Sequence, residues 1–302
     1  MQSEKLYYYT DFNTFKLILQ NATLRFKEST SSNDNFDTKQ LYENLFDMAI
    51  KRLDEGELKD EQKFFFDMQK HIGSKSTRVS LVSCFTSKAD SRMLWDAYTM
   101  HRKDRTASRY NGLCIEFDKK ELMQSMIIYA QQFDVKCCKE IVYGFDCINN
   151  VLEEYMDAYS KEVNEMSHDE DQTQKLVPPI PIPFTNKVME LKKCIVIPTL
   201  RLIDKIDAAA PFFKHSFWFE ECETRALLST KNEGAVAKTL SKYPDGSAYF
   251  DLQITDKCIN RVILGPEFSE DDSRILRSLD AKIKFEDLTT IPSIGTGVIT
   301  NR

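Results

Sequence analysis

The chain has 302 residues, 42% of them hydrophobic and 29% charged, with a formal net charge of −6. That length supports a sizeable core, and the acidic balance argues against a general nucleic-acid coating role while leaving a local basic groove open. No apolar run approaches the roughly 20 residues that span a bilayer, and the polar start Met1-Gln2-Ser3-Glu4-Lys5 carries no signal-peptide pattern, so a cytoplasmic protein without a membrane partner is expected.

Residues 6–10, Leu-Tyr-Tyr-Tyr-Thr, are rich in strand formers and predict a first strand. Asp11 is placed to cap a helix running to about 20, with Phe12, Phe15, Ile18 and Leu19 on its apolar side. A second strand follows over 23–26, then a polar loop from 29. Amphipathic helices are predicted over 38–53 and 60–72. A buried strand is expected over 79–85 and a short helix over 91–100 carrying Trp95 and Tyr98. The basic segment 101–109, with Arg102, Lys103, Arg105 and Arg109, interrupts an otherwise acidic chain. It reads either as a solvated charge run or as a phosphate-docking patch.

Strand pattern returns over 112–117, helix over 119–131, strand over 135–143 and helix over 147–164. The run Val177-Pro178-Pro179-Ile180-Pro181-Ile182-Pro183 suits neither a helix nor a central strand. It marks a linker or loop near 166–185 within one domain spanning 1–302. A helix over 187–206 is expected to be interrupted by Pro198, and strands are expected over 226–229, 248–252, 261–264 and 281–285, with a helix over 268–279. The irregular alternation, without repeats, predicts an α+β fold with a mixed or antiparallel central sheet and flanking helices.

Chemistry concentrates in Phe217-Trp218-Phe219-Glu220-Glu221-Cys222-Glu223-Thr224-Arg225, just after Lys214 and His215. Apolar side chains seek burial, whereas carboxylates go inside only when paired. An extended segment would set Glu221, Glu223 and Arg225 on one face. A helical one would make Glu221 and Arg225 an i,i+4 pair. Asn33, Asp34 and Asp37 sit in one polar loop, suited to capping, hydrogen bonding or weak metal binding. The eight cysteines are scattered without a Cys-x-x-Cys pair, so neither a disulfide scaffold nor structural zinc is expected. Cys137 and Cys138 would point to opposite sides of a strand. No Walker loop, dinucleotide fingerprint, zinc-protease motif or nucleophile elbow occurs.

An ordered set of blocks resembles the bacterial domain-of-unknown-function family 2971: Leu6 to Thr10, Leu24-Arg25-Phe26, Asn33 to Asp37, Ser83-Cys84-Phe85-Thr86, Met93 to Tyr98, Gly112 to Phe117, then Lys214, Trp218, Glu221, Glu223, Arg225, and Val262 to Pro266. Its layout is similar to that of ADP-ribosyltransferases, toxins that modify nucleic acids among them. The resemblance implies an ADP-ribosyltransferase-like sheet, NAD as substrate, and a role in a bacterial toxin or phage-defence effector. By that likeness Tyr8, with Thr10 beside it, stands at the position where those enzymes carry His or Arg. Ser83 and Thr86 form the Ser/Thr block, Glu223 is the late catalytic glutamate, and Glu221 completes a Glu-x-Glu pair. Arg25 or Arg102 would hold the pyrophosphate, Asn33 would assist NAD binding, and Trp95 or Tyr98 would stack on nicotinamide or an acceptor base.

A positioned carboxylate stabilises the cationic sugar that develops as the nicotinamide–ribose bond breaks. A second one can deprotonate a nucleic-acid or protein acceptor. Two other readings suit the same residues. In a magnesium-dependent nuclease, Asp34, Asp37, Glu221 and Glu223 would gather the metal near Lys214. In a non-catalytic sensor or binding module, with a regulatory partner protein, the acids would pair internally with Arg225 and Lys214.

Overall fold

Local rules set the first turn of the chain. Strand β1 (Lys5–Thr10) meets helix α1 (Phe12–Asn21) at Asp11, whose carboxylate accepts the Thr14 amide at 2.9 Å and the Thr14 hydroxyl at 2.7 Å. That is the N-cap role the sequence assigns it. The computed structural model describes residues 4–29, 47, 49–51, 60–65, 78–99, 112–169, 180–181, 188–189, 192–231, 234–265, 274–275, 278 and 284–287. Most of the helices expected over 38–53, 60–72 and 268–279, the loop holding Asn33, Asp34 and Asp37, the basic segment 101–109 and most of the Pro-rich run lie outside the described residues; residues 47 and 49–51 are helical.

The remaining strands are β2 (Thr23–Glu28), β3 (Arg78–Thr86), β4 (Leu113–Asp118), β5 (Asp134–Glu140), β6 (Val142–Tyr143), β7 (Ile180–Pro181), β8 (Val188–Met189), β9 (Phe213–Lys214), β10 (Glu223–Lys231), β11 (Ser241–Lys242), β12 (Ala248–Gln253), β13 (Ile259–Leu264) and β14 (Lys284–Asp287). The helices after α1 are α2 (Arg92–Tyr98), α3 (Lys119–Ile127), α4 (Phe145–Ser167), α5 (Lys193–Ala209) and α6 (Ala235–Thr239). Ten strands form one sheet, along the path β11-β12-β2-β3-β1-β4-β13-β14, with β10 on β3 and β5 on β10. Every pairing in it is antiparallel except β13 with β14. The fold is therefore α+β with a mostly antiparallel sheet.

β3 organises this sheet. It gives one whole edge to β10 and shares the other between β2, at Val82 and Leu81, and β1, at Thr86. One sheet face carries the main core, with Leu24, Phe26, Leu81, Phe85, Ile115, Phe117 and Leu228 beneath α1 and α3. On the opposite face α2 packs Leu94 and Trp95 against Tyr7, Tyr9, Cys114 and Ile263. Gly112 lets α2 come this close, because a Cβ there would lie 2.1 Å from Thr99 Cβ and 2.9 Å from the Thr10 carbonyl. Helices α4 and α5 share a core of their own, including Leu152, Met156, Leu202 and Ile206. Phe212, just after α5, joins Ile141 and Leu227 on the sheet.

Several boundaries differ from expectation. Helix α5 runs unbroken through Pro198. Pro198 costs one intrahelical donor, but its flanking turns are fixed by Ile195, Leu202 and Ile203 packed inside and by the Thr199 hydroxyl donating to Ile195 O at 2.7 Å. The strand expected over 135–143 breaks at Ile141 into β5 and β6, whose partner is β9. The largest departure is at Cys137 and Cys138. Their sulfurs lie 3.0 Å apart rather than on opposite sides, because Cys138 adopts φ 56° inside a bulge.

Candidate functional site

Strand β10 begins at Glu223, and its alternation puts Glu223 and Arg225 on the sheet face that receives α2 and α5. Glu221 arrives differently. Residues Ser216–Glu221 form a 3-10 turn, capped by His215, whose Nδ1 accepts the Phe217 amide at 3.1 Å. Cys222 then takes a left-handed conformation, φ 44° and ψ 50°. That single residue bends the chain so that both carboxylates meet. The segment is thus neither the extended nor the helical alternative alone: a helical turn supplies Glu221 and a strand supplies Glu223.

Lys214, at the end of β9, lies between them, with Nζ donating to Glu221 Oε2 at 2.6 Å and Glu223 Oε2 at 3.0 Å. Arg225 closes the group, its Nε donating to Glu223 Oε1 at 2.6 Å and its Nη1 to the Pro211 carbonyl at 2.7 Å. All four side chains are buried. Two anions and two cations balance, which is the condition for carrying charge inside a protein. Burial alone would raise the Glu223 carboxyl, but the charges of Arg225 and Lys214 outweigh it and hold the group at about 2. Glu223 is an anion at any physiological pH.

The rim is aromatic and hydroxylic. The Tyr98 phenol, on α2, donates to Glu221 Oε1 at 2.9 Å while its side chain remains 48% exposed. Burial and the Glu221 charge both push that phenol up. The Thr86 hydroxyl donates to the Glu221 carbonyl at 2.6 Å, and the Tyr143 phenol accepts the Glu223 amide at 2.7 Å. Cys84, paired with Arg225 across the β3–β10 ladder, is exposed to solvent although desolvation and then the Glu223 charge raise its thiol. Phe217 and Phe219, 74% and 57% exposed, lie on the 3-10 turn that carries Glu221.

The register extends the polar line across five strands. Arg261 pairs with Glu116, Glu116 with Tyr7, Tyr7 with Thr86, and Thr86 with Glu223. Glu116 accepts from Arg261 Nε at 2.6 Å and from the Tyr7 phenol at 3.3 Å, and pairs with Lys5 at 3.1 Å. Sequence reasoning gave no role to Glu116, Arg261 or Tyr143. One signal was available, an acid inside the apolar run Leu113-Cys114-Ile115-Glu116-Phe117.

The other predicted site residues are dispersed. Tyr8 points to the opposite sheet face, between Phe85 at 5.9 Å and Phe117 at 6.3 Å, and burial pushes its phenol up to about 12. Thr10 is buried at the end of β1. Ser83 faces the main core, and its hydroxyl has no partner among the described residues. Trp95 is fully enclosed, edge-on to Tyr9, with its indole N–H on Asp90 at 3.0 Å. Arg25 is held at the far arm of the sheet by Asp251, at 2.7 and 2.8 Å, and stacks over Tyr249. Asn33 lies outside the described residues. Glu221, Glu223, Thr86 and Tyr98 are thus brought together, and Tyr8, Thr10, Arg25, Ser83 and Trp95 are not part of that cluster.

Among the described residues, no group of three or more His, Cys, Asp or Glu could hold a metal ion, and no helix is long and apolar enough to cross a membrane. Compared with known proteins, the chain matches no family model, and no curated protein or solved structure of significant similarity was found.

Proposed function

We propose that the Glu221–Glu223 corner is the reaction centre of an NAD-consuming transferase of the ADP-ribosyltransferase type, acting on a nucleic-acid or protein acceptor as a toxin or defence effector. One observation carries the reading: two carboxylates two residues apart converge from a helical turn and a strand end, beside a Ser/Thr-bearing strand. The three strands that carry Tyr8, Ser83 with Thr86, and Glu223, namely β1, β3 and β10, are also neighbours. Glu223, held ionised and immobile by Arg225 and Lys214, is the electrostatic partner for the developing cationic sugar. Glu221, linked to the half-exposed Tyr98 phenol, faces the acceptor side and takes up its proton. Cys84 and Tyr98 are the exposed side chains beside the cluster, and Phe217 and Phe219 offer flat exposed surfaces on the turn that carries Glu221.

The test is incubation of the protein with labelled NAD plus DNA, RNA or cell lysate, beside Glu221→Gln and Tyr98→Phe. Transfer of label by the native chain and at least a hundredfold loss in Glu221→Gln are expected, on the order of what loss of general-base assistance costs. NAD left intact by the native chain with every acceptor would overturn the reading.

A specific observation supports a second reading, a non-catalytic binding module: the four charges satisfy one another completely. The nuclease alternative has less support, because the Lys214 ammonium fills the position between the carboxylates that a divalent cation would take. Magnesium-dependent cleavage of nucleic acid in the same assay would restore it.

A further inference from the structure

Opposite Ala226 the β5–β10 ladder slips. Arg225 pairs with Lys139 and Leu227 with Lys136, so Cys137 and Cys138 together face one residue of β10. Two residues against one is a β-bulge, and φ 56° at Cys138 is uncommon for a residue with a Cβ. The bulge cancels the alternation that would otherwise part neighbouring side chains, and brings the two sulfurs to 3.0 Å. Cys137 is half-buried and reachable, whereas Cys138 is buried behind it.

We propose that Cys137 and Cys138 form a redox-modification site that closes reversibly to a vicinal disulfide by exchange with a small-molecule disulfide such as oxidised glutathione. The Cys137 thiolate attacks one sulfur of the small disulfide, forming a mixed disulfide and releasing one thiolate. Cys138 then gives its proton to water and attacks the Cys137 sulfur, expelling the second thiolate. The protein loses two hydrogens and the small disulfide becomes two thiols.

The order of attack follows from the surroundings. The hydrogen bond from Cys138 lowers the Cys137 thiol against the opposing effect of burial, and the Lys119 ammonium adds to the lowering. Cys138 is raised by that same hydrogen bond and by burial. The more acidic, more exposed thiol is the nucleophile. Ring closure is also readily reversed. Adjacent Cα atoms are about 3.8 Å apart, below the roughly 4.4–6.8 Å of ordinary disulfides, and strained disulfides are the reducible, regulatory kind. Closure acts on the strand against which Arg225 is paired, one position from the ion-pair cluster.

The full-length reduced protein is equilibrated with graded ratios of reduced to oxidised glutathione, free thiols are trapped by alkylation, and the segment holding both cysteines is followed by mass spectrometry. Joint loss of both thiols without a glutathione adduct is expected, reversed by reductant. Cys138→Ser is expected to accumulate a glutathione adduct on Cys137, and Cys137→Ser to leave Cys138 unmodified. A stable glutathione adduct on the native segment would overturn the proposal. So would both thiols surviving oxidant that modifies the exposed Cys147.

Discussion

Glu223 receives three charged donor contacts, two from Arg225 and one from Lys214, and this makes its ionisation part of folding. Its folded value of about 2 lies below the ordinary 4.5. A depressed carboxyl contributes fully above about pH 4.5, and the contribution disappears as pH falls toward about 2. At about 1.4 kcal/mol per pH unit, the drop is worth roughly 3 kcal/mol. Glu223→Gln keeps the shape and removes the titration, leaving two buried cations with one anion. The native chain is therefore expected to be more stable than the variant by roughly 3 kcal/mol near neutral pH, with the gap closing between about pH 4.5 and 2. Urea midpoints measured across that range check it. A gap that stays constant would mean that the Glu223 charge does not stabilise the fold.

At the scale of elements, the corner depends on one backbone conformation. Cys222 sits between the 3-10 turn and β10 with φ 44°, a conformation costing a residue with a Cβ roughly 1–2 kcal/mol. Its sulfur makes a long contact, 3.7 Å to Phe219 O, and interacts with the Lys88 ammonium. Cys222→Gly is expected to raise stability by about 0.5–1 kcal/mol, since the relief exceeds the added chain entropy of glycine. Cys222→Val, with its branched Cβ, is expected to lower it by about 1–2 kcal/mol. Thermal unfolding of the two variants checks the opposite signs, and a loss of stability in Cys222→Gly would refute the assignment. None of this was legible in the sequence. The apolar and acidic pattern from Phe217 to Arg225 fits strand and helix equally, and only tertiary contacts decide that it is one and then the other. By contrast β1, α1, β2, β3 and β4 were legible, because an Asp11 cap and strand-forming runs are local signals. The bulge at Cys137 and Cys138 was hidden because alternation is the default assumption for a strand. The line from Arg261 to Glu223 was hidden because it exists only once five strands are ordered side by side.

Across the whole molecule, the ion-pair cluster lies where two layers meet. The sheet has its main core on one face, while α4 and α5 bury their apolar stripes mostly against each other. Among the described residues the junction includes Phe212 against Ile141 and Leu227, Lys139 over the Phe212 ring, Arg225 on the Pro211 carbonyl, and Arg78 on Asp204 of α5 and Asp134 of β5. Phe212 is the only large apolar side chain in this set that comes from the helical layer, and it is 1% exposed. Phe212→Ala is therefore expected to cost about 3–5 kcal/mol, with the loss concentrated at the junction. Hydrogen exchange checks this by location. Amides of α4, α5 and β10 are expected to exchange faster in the variant, because weakening a local interface lowers the cost of opening that unit. Amides of β1, β4 and β13, on the far side of β3 from β10, are expected to keep their protection until global unfolding. A uniform rise in exchange over all these strands would mean that the helical layer and the sheet open as one unit, and that the cluster does not sit on a separable boundary.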